Sequence, residues 1–395
     1  MEKRLIREFS DRLKEIARDL SFLGHPRYPV QELNHLFPQH PIFIRELEDL
    51  SVPFKVNVKE KRSAITELMS EVDRSSLDPY MKEIFLTRSQ DYQTLLLMME
   101  NFGKPKFYEL ARSLYGSSLD LEKKESFFNF LNQLPSFTAA DQFQEMLSGE
   151  DALRYMGNRL LETFSDADVE VKASTSLLSD SSAGRRVLKL NPFKSYSIQQ
   201  LEIFLVHEGW AHLGTSLNGA AQSEHTWLST WAPRTTFLQE GLALLTEIIT
   251  GAMTKERWDR VLLRHLATSM AERGSNIQEV YEYLRHEGLQ ELDAFKLSLR
   301  IFRGVPLEGG MAFTKELLYL HGLVALLRHL ELVQGDLRSL WIGKLSFREH
   351  AITLANWRSI NPQLKYFPLG LQDPLVQERL KKLMELARQK ITLDF

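Results

Sequence analysis

The chain has no cysteine in its 395 residues. That absence excludes disulfides, thiolate-held metals and a cysteine nucleophile together. Any transition metal must then be gripped by histidine and carboxylate. Long apolar runs are missing as well: no stretch reaches the ~18 uninterrupted apolar residues a membrane span needs. Neither sign of charge dominates, the formal net charge being -3, so electrostatics give no case for nucleic acid or an anionic membrane surface as partner. The lack of cysteine fits a cytoplasmic location. Core-forming material is plentiful, with 43% hydrophobic residues and 23 Phe, enough to bury a large interior.

At the N-terminus Leu5, Ile6, Phe9, Leu13, Ile16 and Leu20 recur at helical spacing between charges. This predicts an amphipathic helix packed on the body and not a signal peptide, which would need a continuous apolar segment. The first 150 residues read as helices parted by proline-containing loops, "GHPRYP" and "FPQHPIF" among them. "DYQTLLLMMENFGKPKFYELARSLYG" predicts a helix, a Gly-Lys-Pro break and a second helix ending at Gly116. "DVEVKAS" and "RRVLKLN" alternate at period two and predict strands, separated by the turn-forming cluster "LLSDSSAG". Ser197 and Gln200 have capping-box spacing, so a helix starts there. A second apolar helix, "FLQEGLALLTEIITG", stops at Gly251; "TKELLYLHGLVALLRHLELV" predicts another, and the last sixty residues short helices and loops. The fold class is mainly α with a small β element (α+β). Residues 1–150 form a helical N-terminal region packed on the core and 151–395 the region carrying the chemistry, one continuous domain being compatible with both.

That chemistry centres on "LVHEGWAHLG", residues 205–214. His207 and Glu208 open it like a zinc-protease H-E-x-x-H helix, but His212 comes one residue late. On an ideal helix i and i+5 are about 140° apart, against about 40° for i and i+4. The pair can face one ion only if a π-bulge takes up the extra residue, and Gly209 would ease such a distortion. A chance H-E-x-x-x-H in a chain of this size is roughly a few in a hundred, and the His-Glu-Gly at His286 has no second histidine after it. A hydrolytic zinc takes three protein ligands and keeps one position for water. Glu240, between Leu238 and Leu242 on an apolar helix, is the third candidate, because a carboxylate there is costly unless a metal, cation or donors satisfy it. A buried salt bridge with Arg or Lys is the alternative use. Glu247 shares the same face and could orient a histidine.

"HEGWAH", Asn218, Gln222, "LQEGLA", "LRIFRG" and "GGMAFTKELLYLHG" follow one another as in the QEGLA-motif metallopeptidases, and the chain resembles that family from about residue 200 to 330 and more faintly over much of the rest. Its eukaryotic members include the microtubule-associated tyrosine carboxypeptidases, which remove the C-terminal tyrosine of α-tubulin. Dipeptidyl peptidase III, with H-E-L-L-G-H, is similar in placing zinc on an i, i+5 histidine pair. The resemblance implies a zincin-like metallopeptidase core over 151–395, one Zn2+ per chain on His207, His212 and Glu240, and Glu208 as catalytic base. It implies a carboxypeptidase whose partner is a peptide or protein C-terminal tail, tubulin-like only in a eukaryotic cell or one reached by delivery. Trp210 departs from the small aliphatic residues usual between the histidines and would narrow the cleft.

A carboxypeptidase must bind a terminal carboxylate, for which Arg300, Arg303 and Lys315 are candidates; surface charge is the other reading of the two arginines. Lys315 and Tyr319 are i, i+4 on one helix, and the Tyr319 hydroxyl could donate to an oxyanion or pack on a backbone carbonyl. Gly309-Gly310 suggests close backbone approach to substrate or to the zinc helix, or a plain loop. Asn218 could bind substrate, or with Gln222 satisfy its own loop. His321, His329 and His350 lack ligand spacing and are assigned structural or surface roles. Three other functions stay open: a zinc amidohydrolase with another substrate, a metal-binding but inactive module, and a metal-free helical scaffold.

Overall fold

The N-terminal stripe folds as predicted: Glu2–Ala17 is helical and buries Ile6, Phe9, Leu13 and Ile16. The computed structural model describes residues 2–18, 20, 56–121, 125–140, 146–175, 177, 179–184, 186–333 and 336–391. The proline loops "GHPRYP" and "FPQHPIF" lie outside them. The fold is mainly helical with small sheets. Among the described residues no helix is long and apolar enough to cross a membrane. The chain divides into two compact units, Met1–Asp11 with Lys124–Asp259 and Tyr319–Phe395, and Arg12–Lys123 with Arg260–Leu318.

In the second unit the Gly-Lys-Pro break separates helices Pro79–Glu100 and Pro105–Tyr115, and Gly116 ends the latter at φ 80°. Helices Ile277–His286 and Glu291–Ile301 precede a turn closed by Gly304, φ 78°. The Phe107 ring lies where a side chain at 304 would go, 2.5 Å from its Cβ position, so only glycine fits.

In the first unit the strands are β1 (Met146–Leu147), β2 (Glu170–Ala173), β3 (Ser181–Ala183), β4 (Val187–Leu190) and β5 (Tyr196–Ser197). β1 pairs antiparallel with β5, and the other three form a sheet in the order β2-β4-β3. The two strands legible in the sequence, β2 and β4, are parallel neighbours, Val171 opposite Leu188. The intervening "turn" contains β3, antiparallel to β4. Ser-Ser-Ala has no alternating apolar signal; its extended form comes from its neighbour, since strand preference is set by context.

A long helix follows from Ile198 to Ala221, and helix Gly149–Thr163 packs beside it. Met156, Leu160, Leu188, Leu201, Leu205 and Leu213 form their shared core. Each such leucine contributes roughly 2 kcal/mol by burial, so this helix is anchored on both sides of its midpoint. Thr235–Thr250 is a second buried helix, ended by Gly251 in the left-handed region at φ 78°. The third, Leu318–Val333, begins later than expected: Thr314–Leu317 is a 3-10 turn. Lys315 and Tyr319 therefore do not share one α-helix. The C-terminal region is not only short helices and loops, since Pro374–Lys390 is a 17-residue helix.

Candidate metal centre

The helix carrying the two histidines begins as its sequence dictates. Ser197 Oγ accepts from Gln200 N at 3.1 Å and Gln200 Oε1 accepts from Ser197 N at 3.0 Å, a closed capping box. From Leu205 to Leu213 the backbone is π-helical, and it returns to α-helix at Gly214–Ala221. One extra residue per turn brings i and i+5 to the same side, and the rings of His207 and His212 stand 4.9 Å apart. The late histidine is accommodated by the bulge its spacing demands.

The wider turn leaves carbonyls to be met from outside the ladder. Trp341 Nε1 donates to Trp210 O at 2.7 Å, and Lys344 Nζ to His212 O at 2.8 Å. Gly209 lets helix Gly149–Thr163 come close, because a Cβ there would lie 2.9 Å from a Leu160 methyl. Trp210 is turned away along that side: its indole N–H donates to Thr163 Oγ1 at 3.2 Å and its ring covers Gly370.

Glu240 is placed by backbone contact. A Cβ on Gly241 would sit 2.3 Å from Gly322 O, and one on Gly322 would sit 2.5 Å from Phe237 O. The helix bearing Glu240 thus packs main chain to main chain on the helix bearing Tyr319. Glu240 Oε2 is 3.6 Å from His207 Nε2 and 3.8 Å from His212 Nε2. All three ligand atoms lie within 4.8 Å of one another, and among the described residues no other set of three His, Asp or Glu does so. These separations are long for hydrogen bonds. They suit the edges of a tetrahedron around one ion, ~3.4 Å for bonds of ~2.1 Å. The donor set, two imidazoles and a carboxylate, is one that zinc accepts, so the residues fit the expected metal.

Glu247 orients His207. It is fully buried, accepts from His207 Nδ1 at 2.6 Å, and takes both arms of Arg257 at 2.9 and 3.0 Å. Burial pushes its pKa up, but Arg257 and His207 outweigh this and bring it down to about 2. An ionised Glu247 can only accept, so Nδ1 carries the proton and Nε2 faces Glu240. Burial disfavours the charged His207 ring, yet Glu240, Glu247 and Glu208 push its pKa up to about 10. That proton and a metal cation are alternatives at Nε2. Arg257 was not among the residues singled out from sequence; ten positions past Glu247, it is the cation that makes a buried carboxylate tolerable.

Glu208 projects from the π segment, and Ser181 Oγ donates to its Oε1 at 3.3 Å. The Tyr319 ring stacks near His207, centroids 6.2 Å apart and planes at 25°. Lys344, buried, also donates to Gln239 Oε1 at 2.7 Å, so one ammonium ties the carbonyl of His212 to the neighbour of Glu240. Burial brings its pKa down to about 7. No sequence signal marked Lys344 or Ser181, because their partners are remote along the chain.

Asn218 and Gln222 serve their surroundings. Asn218 Nδ2 donates to Trp341 O and Tyr366 O, and its Oδ1 accepts from Lys365 N and Tyr366 N. Gln222 Nε2 donates to Gln363 O and its Oε1 accepts from Gln363 N. The amide of Asn218 is saturated by backbone, which leaves it no capacity for a substrate. His329, His350 and Ser339 form a hydrogen-bonded row at 2.7 and 2.9 Å, and His321 meets the Phe127 ring edge-on.

The candidate carboxylate binders lie in the second unit. Arg300 makes a two-armed pair with Glu316, 2.9 Å on each arm. Arg303 is buried in the turn after helix Glu291–Ile301, and Lys315 is buried in the 3-10 turn. Gly309 does make a close approach, but to the backbone of Gly274 and Ser275: its Cβ would meet Gly274 O at 2.2 Å.

Against known proteins, the model of the microtubule-associated tyrosine carboxypeptidase family matches residues 33–389. No curated protein matches the chain.

Proposed function

Since a match over 33–389 spans most of its length, the chain belongs to the microtubule-associated tyrosine carboxypeptidase family, and on that premise we propose that it is a zinc carboxypeptidase acting on a peptide or protein C-terminus. The observation that carries this reading is the triangle of His207, His212 and Glu240 with Glu208 on the same turn. His207, His212 and Glu240 would hold one zinc, in a zincin-like core. Zinc bound there supplies a Lewis acid that makes a water nucleophilic near neutral pH and polarises a carbonyl.

The other steps belong to the chain's own groups. Glu208 takes the proton from the attacking water and returns it to the leaving amine. Ser181 holds one of its oxygens and leaves the second for that proton. Glu247, fixed by Arg257, keeps the His207 ring in one tautomer and one plane. The Tyr319 hydroxyl, on a ring steadied beside His207, donates to the oxygen that becomes negative as the amide is attacked. A C-terminal aromatic residue, tyrosine first, is the leaving group we assign.

Elemental analysis and peptide hydrolysis test the assignment together. The parent protein should carry about one zinc and release tyrosine from a peptide ending in it. Glu240→Ala should lose the metal. Glu208→Gln should keep the metal and lose turnover by several orders of magnitude. Equal zinc in the parent and Glu240→Ala would remove Glu240 from the ligand set. Unimpaired hydrolysis by Glu208→Gln would remove the base.

A further inference from the structure

The helix that carries both histidines holds one residue more than an α-helix of its span, and its two ends are pinned independently. Upstream, the Ser197 and Gln200 box closes the first turn, and Leu201 and Leu205 sit in the core. Downstream, the Asn218 and Gln222 side chains are tied to the backbone of residues 363–366. With neither end free to rotate, the extra residue cannot be expelled. What stays open is its place along the helix, because π and α turns differ by one step of hydrogen-bond register. A bulge that slid past His212 would leave the two histidines about 140° apart.

One outside segment grips the bulge where it lies. Gly214 N closes an i, i+5 bond to Gly209 O, and the next carbonyl, Trp210 O, accepts from Trp341 Nε1 at 2.7 Å. His212 O accepts from Lys344 Nζ at 2.8 Å. Trp341 lies along the helix: its ring is 3.3 Å from the position of a Gly214 Cβ, and its carbonyl accepts from Asn218 Nδ2 at 2.8 Å. Residues 210, 214 and 218 therefore all meet one tryptophan. The segment bearing both donors is itself fixed. Asp336 caps the 3-10 turn Leu337–Trp341, Ser339 Oγ donates to Asp336 O and meets His350 Nε2 at 2.9 Å, and Lys344 N donates to Leu228 O at 2.7 Å. A Cβ on Gly343 would lie 2.7 Å from that same Leu228 O, so the segment comes as near as glycine allows.

We infer that residues 337–344 are the positioning element that keeps the bulge between the two histidines, Trp341 and Lys344 acting together, and that without their two donors the bulge slides and His212 leaves the site. Trp341 and Lys344 touch neither ligand side chain; they act on the carbonyls of Trp210 and His212 and so choose the register in which the His212 ring faces His207 and Glu240. That the register depends on this segment follows from the hydrogen bonds alone. That its loss costs a zinc ligand rests on the metal reading above.

The test uses the full chain and three variants: Trp341→Phe, which keeps a ring and deletes the N–H, Lys344→Met, and the two combined. Two readouts are taken, amide hydrogen exchange of the metal-free protein over residues 205–217 and zinc affinity by chelator competition. Exchange over 205–217 should quicken roughly tenfold in the double variant, while that of helix Gly149–Thr163 stays at the parent's rate. Zinc affinity should fall roughly tenfold in each single variant, and in the double variant to the level of His212→Ala. In a His212→Ala background the same substitutions should change zinc affinity no further, since the residue they position is gone. Ile342→Val thins the same segment without touching a donor; it should lower the Tm and leave zinc affinity as it was. Parent-like exchange over 205–217 in the double variant would overturn the inference. So would quickened exchange with unchanged zinc affinity, an affinity loss of equal size in the His212→Ala background, or the same loss in Ile342→Val. If the parent takes up no zinc and exchange still quickens over 205–217 alone, the metal reading falls and the positioning of the bulge stands.

Discussion

A single methyl group at position 241 should disturb the metal centre more than its size suggests. The Cβ of Gly241→Ala would lie 2.3 Å from Gly322 O and 2.4 Å from Gly322 C, where a relaxed C···O contact is about 3.3 Å. Both sides of this contact are main chain, so no rotamer change relieves it, and the two helices must part by roughly 1 Å. Overpacking costs about 1–3 kcal/mol, and a rigid backbone partner puts this case at the upper end. Alanine's better helix propensity gives back about 1 kcal/mol, leaving a net loss of about 2 kcal/mol. The chain contains its own control. Gly157 is also within a helix but has nothing within 4 Å of its Cβ position, so Gly157→Ala should gain about 1 kcal/mol by propensity alone. Calorimetry should therefore show Tm falling by several degrees in the first variant and rising in the second. Glu240 moves with the helix, and a ligand displaced by a large fraction of a ~2 Å bond should weaken zinc binding at least tenfold in chelator competition. Gly322→Ala should do the same, and the double variant should cost less than the sum, since one separation relieves both contacts. A Gly241→Ala protein with the parent's Tm and zinc affinity would refute the argument that backbone contact sets the ligand geometry.

Lys344→Met removes the ammonium that joins His212 O to Gln239; zinc affinity should drop roughly ten- to hundredfold, and unchanged chelator competition would mean the π segment holds its shape alone. Glu247→Gln leaves Arg257 buried beside a neutral amide, which should cost about 3–5 kcal/mol of stability and weaken zinc binding as well, both read from unfolding curves with and without metal. Glu202 accepts from Tyr155 and from both arms of Arg159; burial raises its pKa, but these partners outweigh burial and the net shift is downward. A depressed folded-state pKa means stability present above the unfolded value of about 4.3 and lost as pH falls through the folded value. The Tm gap between parent and Glu202→Gln should accordingly be full near pH 7 and close as pH falls below about 4, and a gap that ignores pH would show that Glu202 acts through packing.

The sequence made some of this centre legible and hid the rest for a physical reason. Local rules work where both partners lie within a few turns: the Ser197 and Gln200 box, the Gly116 and Gly251 stops, and the extra residue between His207 and His212. Glu240 and Glu247 were legible because a carboxylate on an apolar helix violates burial rules unless something satisfies it. What satisfies it was not, except for the histidines. Lys344 is 132 positions from His212 and 105 from Gln239, and nothing local distinguishes it from a surface lysine. β3 was hidden for the same reason, its extended form being imposed by β4. The Gly241 and Gly322 contact joins two glycines that each read as an ordinary small residue in a helix.

The pair of arginines shows most sharply where local reading stops. Arg300 and Arg303 are the same residue one helical turn apart, and by charge, spacing and propensity both are equal candidates for a carboxylate. What separates them is the register of Glu316, which meets Arg300 with both oxygens and leaves Arg303 with no hydrogen bond among the described residues. That register follows from the backbone between them: Phe313 N is bonded to Ile301 O, and the 3-10 turn Thr314–Leu317 then brings Glu316 round to the helix end. Were Thr314–Leu317 α-helical, as its sequence suggests, residue 316 would be carried elsewhere by the wider turn, and the two cations would exchange or share their partner. The difference between two identical side chains is thus decided by a 3-10 turn more than ten residues away, and Glu316→Gln is the variant that should abolish it: removing the partner of the largely buried Arg300 should cost about 3–5 kcal/mol, read from unfolding curves, and an unchanged Tm would refute this account of the pair.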